Sequence, residues 1–395
     1  MLFVRGAKQL LTLRGRRIRR GSELSDLGVI PDGGVLIDGD RIEEVGSTRR
    51  LDNLTKARHA KVIDASGKVV MPSFADPRTR LVFSASALRD FDRLIAAATG
   101  RRDGPNLPVR SLMSLRSERR LSPKSLRLNA RRWLFMAACY GSTAVEIRAG
   151  QGLDAASELR ALRIIRSLEA DPLEVRGVYL AGRSLDEREA IGSCAARVAR
   201  AVERSAARKF VYAVSIDRGP RGLDSSLARA MARQAASLGL AIKVDAHRAA
   251  KDSAAIRFAV EHGALSVDGA DHADDAEIRL LAQAPIVVTF TPGLVYHRGG
   301  KDYPSARRLL DNGVAVALAT GFGPDSSPTL SMPMAMALAC RQMGMTPEEA
   351  IVAATINAAA ALGRADALGS LEPGKQADLA FFDVGDYREI PFYFG

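Results

Sequence analysis

Two pairs of residues carry the chemistry that this sequence could perform. Arg78 and Arg80 stand two apart, just beyond the apolar stretch Val70 to Ala75. Residues two apart on a strand share a face, so both guanidinium groups project the same way. A guanidinium stays charged and offers no lone pair, so it cannot ligate a metal ion. It can grip a carboxylate or a phosphate through its fork of N–H donors. The second pair is His247 and His272, each behind a short apolar run and each near an acid, Asp245 and Asp271. Imidazole and carboxylate together could hold a metal, although solvated loop histidines are the plainer reading. The chain shows no GxSxG, GxxxxGK[ST] or HExxH motif, and no GxGxxG follows an early strand. Those absences argue against a serine hydrolase, a P-loop protein, a zincin and a dinucleotide enzyme.

The elements around these residues form two patterns. Up to residue 70 the chain alternates short β patterns with turns, including a hairpin over Gly34 to Ile42 around Asp38-Gly39-Asp40. From Val70 to Ala75 onward, strands alternate with helices. The predicted strands are Thr143 to Ile147, Val175 to Leu180, Phe210 to Val214, Ala241 to Val244, Leu265 to Val267, Ile286 to Phe290 and Val314 to Thr320. The predicted helices include Ala155 to Leu168, Glu187 to Arg208 and Ser225 to Leu238. Eight βα units over this length predict an α/β fold, a (β/α)8 TIM barrel, with an open doubly wound sheet as the alternative. After residue 362 the β signals return at Leu368 to Leu371 and Ala377 to Phe382. The expected division is 1–70 and 363–395 for a small β-sandwich module built from both termini, and 71–362 for the barrel.

Composition sets outer limits. With 47% hydrophobic and 26% charged residues the chain is an ordinary globular protein, and its length needs no disulfide to hold a core. No run of 18 apolar residues suggests a membrane span. Three scattered cysteines, Cys139, Cys194 and Cys340, and an N-terminus unlike a signal peptide predict reduced thiols in the cytoplasm. The net charge of +12 raises a nucleic-acid role. Arginines spread over helix faces, and a dense patch of Arg14, Arg16, Arg17, Arg19 and Arg20 without aromatics, read instead as solvated surface. Glu146, inside a predicted strand, is expected to be the structural partner of an arginine.

Several segments resemble one family. They are Val70 to Pro77 (VMPSFADP), Val145 to Asp154 (VEIRAGQGLD), Ser326 to Pro333 (SSPTLSMP), Thr346 to Gly363, Gly369 to Leu379 (GSLEPGKQADL) and the terminal Pro391 to Gly395. Nearly the whole chain is similar to the imidazolonepropionases of the amidohydrolase superfamily. The resemblance implies a hydrolase that opens the ring C–N bond of imidazolone propionate in histidine breakdown. It also implies one zinc or iron ion activating a water, and a homodimer. Family members continue with a further strand past the match to Phe392 to Gly395, so the module is expected to be incomplete.

The motifs that carry the chemistry depart from that pattern. The family's His-x-His falls at Arg78 and Arg80. Its later histidines fall at Asp245 and Gly269, and its last ligand, an Asp, at Gly321. Its substrate contacts fall at Ala87, Gln151, Arg183, Arg248, Gly323 and Asp325, and only Ser326 is kept. The resemblance therefore implies a degenerate member with no metal cofactor, acting as a binding or partner protein. Arg78, Arg80, Arg183 and Arg248 would meet at the mouth of the barrel. Either they pair there with Asp76, Asp245 and Asp268, or with Ser326 they line a pocket for a small anionic ligand. The alternative is an active hydrolase of cyclic C–N bonds, with its ligands elsewhere or with His247 and His272 in a displaced site.

Overall fold

The computed structural model describes residues 1–15, 17–83, 91–92, 95, 121–149, 155–169, 173–182, 191–218, 223, 225–246, 254–324 and 326–394. Of the candidate site residues, Ala87, Gln151, Arg183, His247, Arg248 and Asp325 lie outside the described residues.

Eight parallel strands run in sequence order around a nearly closed barrel. They are β6 (Phe74–Thr79), β7 (Ser142–Ala149), β8 (Glu174–Ala181), β9 (Ala213–Asp217), β10 (Ala241–Asp245), β11 (Ser266–Asp268), β12 (Val287–Phe290) and β13 (Ala315–Leu318). Strands such as Val287–Phe290 and Ala315–Leu318 are buried at every residue, because helices cover one face and the barrel interior the other. The helices show the matching 3.6-residue period: Leu227, Ala228, Met231, Ala232 and Ala235 form the buried stripe of Ser225–Ser237. Two capping boxes start helices where the sequence signals them, Asp274 with Glu277 and Thr346 with Glu349. Just past the ends of the first and last strands, Arg80 N–H donates to the Phe322 carbonyl at 2.8 Å.

A second sheet packs beside the barrel, in the order β14 (Leu379–Phe382), β5 (Val69–Pro72), β1 (Leu2–Leu11), β2 (Val29–Asp38), β3 (Arg41–Ser47), with β4 (Lys61–Asp64) paired to β1. Both chain ends thus build one module, since Leu379–Phe382 runs antiparallel to Val69–Pro72.

Three sequence expectations are corrected. Val70 to Ala75 is not one strand: Val69–Pro72 belongs to the small sheet, and the first barrel strand is Phe74–Thr79. Leu368 to Leu371 forms no strand; Leu371 N–H instead bonds the Thr12 carbonyl at 2.8 Å. The arginine patch is not wholly solvated. Arg19 is 3% exposed and donates to the Arg14 and Asp26 carbonyls, while Arg20 reaches the carbonyls of Ala282 and Ala284 on the barrel. Asn357 locks this segment down, accepting from Arg19 N–H at 2.9 Å and donating to the Arg19 and Val316 carbonyls. Cys139 and Cys340 are free thiols.

Candidate functional site

The barrel strands bring charged residues to one interior face at alternate positions. Glu146 and Arg148 lie two apart on β7, and Lys243 and Asp245 two apart on β10. That spacing sends each pair inward, one residue nearer the mouth than the other. Asp268 ends β11, and Arg78 sits near the end of β6.

These side chains form one continuous ionic network. Arg78 Nη2 donates to Asp245 Oδ2 at 2.7 Å, and Arg78 Nη1 lies 3.5 Å from Asp268 Oδ2. Arg148 donates through Nη2 to Asp268, and through Nε to Glu146 Oε1 at 2.7 Å; its Nη1 is 3.8 Å from Asp245. Lys243, fully buried, donates to Glu146 and to the carbonyls of Pro77 and Ala361, each at 3.2 Å. Tyr212 completes the environment of Glu146 with an O–H donor at 2.7 Å. Three cations thus face three carboxylates, the arrangement that makes buried charge tolerable.

The electrostatic consequences follow from burial. Burial pulls the Lys243 ammonium below its ordinary range, and Glu146 only partly offsets this. For Arg148 burial acts in the same direction, but Asp268, Glu146 and Asp245 outweigh it and hold the guanidinium above its usual value. Burial, then Glu146, pushes the Tyr212 phenol well up. Asp76 does not pair with an arginine guanidinium as expected. Its carboxyl accepts from Thr320 N–H at 3.2 Å and from the Thr320 hydroxyl, and weakly from the Arg78 backbone N–H at 3.4 Å. Burial pushes it up to about 7 against those bonds.

The mouth brings together Arg78, Arg80, Asp245, Gly321 and Ser326 around a cavity of about 30 Å³. That is room for roughly one water. Phe322 walls one side, in contact with Trp133 at 5.0 Å between ring centroids. Gly269 and Gly321 take φ of +78° and +64°, the left-handed region that favours glycine. A Cβ on Gly321 would also meet Thr291 Cγ2 at 2.9 Å. His272 is exposed on a turn. Arg183, Arg248 and His247 lie outside the described residues. Glu146 is paired with Arg148 as expected. Sequence reading missed Arg148 and Lys243; the signal was a charge at every second position within otherwise apolar strands.

The fold finds its counterpart in known proteins. Residues 139–394 match the model of the amidohydrolase family, and the chain belongs to that family. Within it, the chain is similar to imidazolonepropionases. It is 36% identical over 405 residues to that of Geobacillus kaustophilus (strain HTA426), covering 100% of this chain and 94% of the relative. It is 35% identical over 408 residues to that of Solibacter usitatus (strain Ellin6076), covering 98% and 93%. Among solved structures, atrazine chlorohydrolase from Arthrobacter aurescens TC1 complexed with zinc superposes with a TM-score of 0.71 at 18% identity, over 97% of this chain and 87% of that one. Guanine deaminase from C. acetobutylicum, with bound guanine, gives 0.69 at 14% identity, over 96% and 90%.

The described residues at the mouth do not fit a metal ion of the kind the family resemblance implies. Arg78 and Arg80 have no lone pair to give. Gly269 and Gly321 have no side chain and a backbone set for glycine. Asp245 is engaged by Arg78. Among the described residues no group of three or more His, Cys, Asp or Glu side chains is placed to hold a metal.

Proposed function

We propose that this chain is an imidazolonepropionase-like amidohydrolase-family protein whose mouth is held by a side-chain cation, and that it acts by binding rather than by metal-assisted hydrolysis. The observation that carries this reading is Arg78 reaching both Asp245 at 2.7 Å and Asp268 at 3.5 Å. A guanidinium there satisfies the carboxylates and repels a divalent ion. The cavity at the mouth offers about 30 Å³, and Arg78 and Arg148 beside it are paired with Asp245, Asp268 and Glu146. A small anionic ligand at Arg78, Arg80 and Ser326 therefore depends on what Arg183 and Arg248 add. The family resemblance also implies a homodimer, which size-exclusion chromatography of the purified chain tests.

A second reading is favoured by the comparisons: an active hydrolase of cyclic C–N bonds, of the imidazolonepropionase type, in histidine degradation. Its support is likeness of 36% over the whole chain to a protein of that name, within a hydrolase family. The residue chemistry at Arg78, Gly269 and Gly321 weighs against it. One assay separates the two. Purified chain, with and without added zinc or iron, is offered imidazolone propionate. The first reading expects no ring opening above the uncatalysed rate; metal-dependent turnover establishes the second.

A further inference from the structure

The opposite end of the barrel holds a larger cavity, and its charge is not balanced. It has a volume of about 400 Å³ and lies where β8 and β9 begin, far along the strands from the mouth. That size falls within the range of small-molecule sites. Its cationic lining is Arg176, Lys209 and Arg364; Glu169, Glu174 and Tyr212 also face it.

The carboxylates there are already engaged. Glu174 is held by Arg364, which donates through Nη2 at 2.9 Å and also reaches Gln376 Oε1 at 2.7 Å. Glu169 pairs with Arg166. Arg176 has no carboxylate partner among the described residues. Its Nη1 donates to the Leu362 carbonyl at 2.9 Å, and its guanidinium carbon stacks 3.8 Å from the centre of the Tyr212 ring. Its Nε and Nη2 make no hydrogen bond among the described residues, which leaves one edge of the fork open. Burial lowers its pKa; Tyr212, Glu174 and Glu146 offset part of this, and the neighbouring Arg364 adds to it. A half-buried guanidinium stacked on a ring, with two of its donors unbonded among the described residues, can accept a counter-charge from outside the chain. Lys209, exposed at the cavity edge, supplies a second positive charge and has no ion pair among the described residues.

We infer that this cavity binds a small organic or inorganic anion, a carboxylate or a phosphate, between the open edge of Arg176 and the Lys209 ammonium. The fork of Arg176 suits two oxygens of one anion, and Lys209 adds a point charge. The inference does not rest on the function proposed for the mouth, since none of its residues belongs to the mouth network except Tyr212, whose hydroxyl bonds Glu146.

The test is calorimetric titration of the full chain with inorganic phosphate and with citrate, at constant ionic strength, with sodium chloride as the reference. Variants Arg176→Gln and Lys209→Gln are compared with Arg279→Gln, an exposed arginine on the helix Asp275–Gln283. Saturable binding of phosphate or citrate is expected in the wild-type chain and in Arg279→Gln. It should weaken roughly tenfold in each cavity variant, the loss of one charge-assisted hydrogen bond. Lys209 is on the surface, so its variant decides the matter even where Arg176→Gln folds poorly. No binding above the chloride reference, or equal binding in the wild type and Lys209→Gln, overturns the inference.

Discussion

The Arg78 guanidinium bridges Asp245 and Asp268, 2.7 Å from one carboxylate and 3.5 Å from the other. Two strands that are not neighbours of β6 are thereby tied to it across the barrel interior. Arg78→Ala removes the 2.7 Å partner of Asp245 and leaves the Arg148 contact at 3.8 Å in place. Removing one member of a buried pair costs about 3–5 kcal/mol. Arg78 retains 23% exposure of its side chain, so the expected loss is smaller, about 2 kcal/mol. Urea denaturation at neutral pH measures it. Free guanidinium at millimolar concentration should raise the melting temperature of Arg78→Ala and leave the wild type unchanged.

Lys243 is the network's most deeply placed cation, with Glu146, Pro77 and Ala361 as its acceptors. Lys243→Met fills similar volume but strips Glu146 of a buried counter-charge. The expected cost is about 3–5 kcal/mol in urea denaturation. A loss below 1 kcal/mol, roughly the value of a surface pair, would contradict a closed network.

Asp76 gives the chain a pH dependence of known sign. Its folded pKa is raised from 3.8 to about 7, so the folded state binds the proton more tightly than the unfolded chain. The stability this contributes is fully present below the unfolded value and is lost as pH rises towards 7, by up to about 1.4 kcal/mol per pH unit. Asp76→Asn keeps the shape without the titration. The stability difference between wild type and variant, followed by urea denaturation from pH 4 to pH 8, should therefore shift against the wild type as pH rises and then level off. A difference independent of pH would contradict the assignment.

Gly321 tests the backbone side of the account. An aspartate there would adopt φ near +64° and bring its Cβ to 2.9 Å from Thr291 Cγ2. Gly321→Asp should destabilise the chain by about 1–2 kcal/mol from the left-handed backbone alone, with the close contact adding to it. Thermal or urea denaturation reads this directly. A neutral or stabilising effect would show that the mouth still accepts a carboxylate at that position.

Much of this was legible in the sequence, and the limits have physical causes. The barrel could be read from strands buried on both faces, which appear as short apolar runs between amphipathic helices. The break between the two sheets could not, because Val69–Pro72 and Phe74–Thr79 are separated by Ser73 alone and both are almost wholly buried. Phe210 to Tyr212 looked like strand through its aromatic residues, yet the strand begins at Ala213, after Tyr212 N–H bonds the Gly177 carbonyl at 3.0 Å. Asp76 was expected to neutralise an arginine; the neighbouring strand end offered Thr320 instead. Arg19 looked solvated because a run of arginines carries no sign of which one will find buried carbonyls.

The central claim is that a tethered guanidinium has taken over the charge at the mouth. Its most direct test is elemental analysis of tag-free protein after dialysis against zinc and then against metal-free buffer. The account predicts zinc far below one equivalent per chain in the wild type. One tightly retained equivalent, lost on mutation of residues at the mouth, would contradict it.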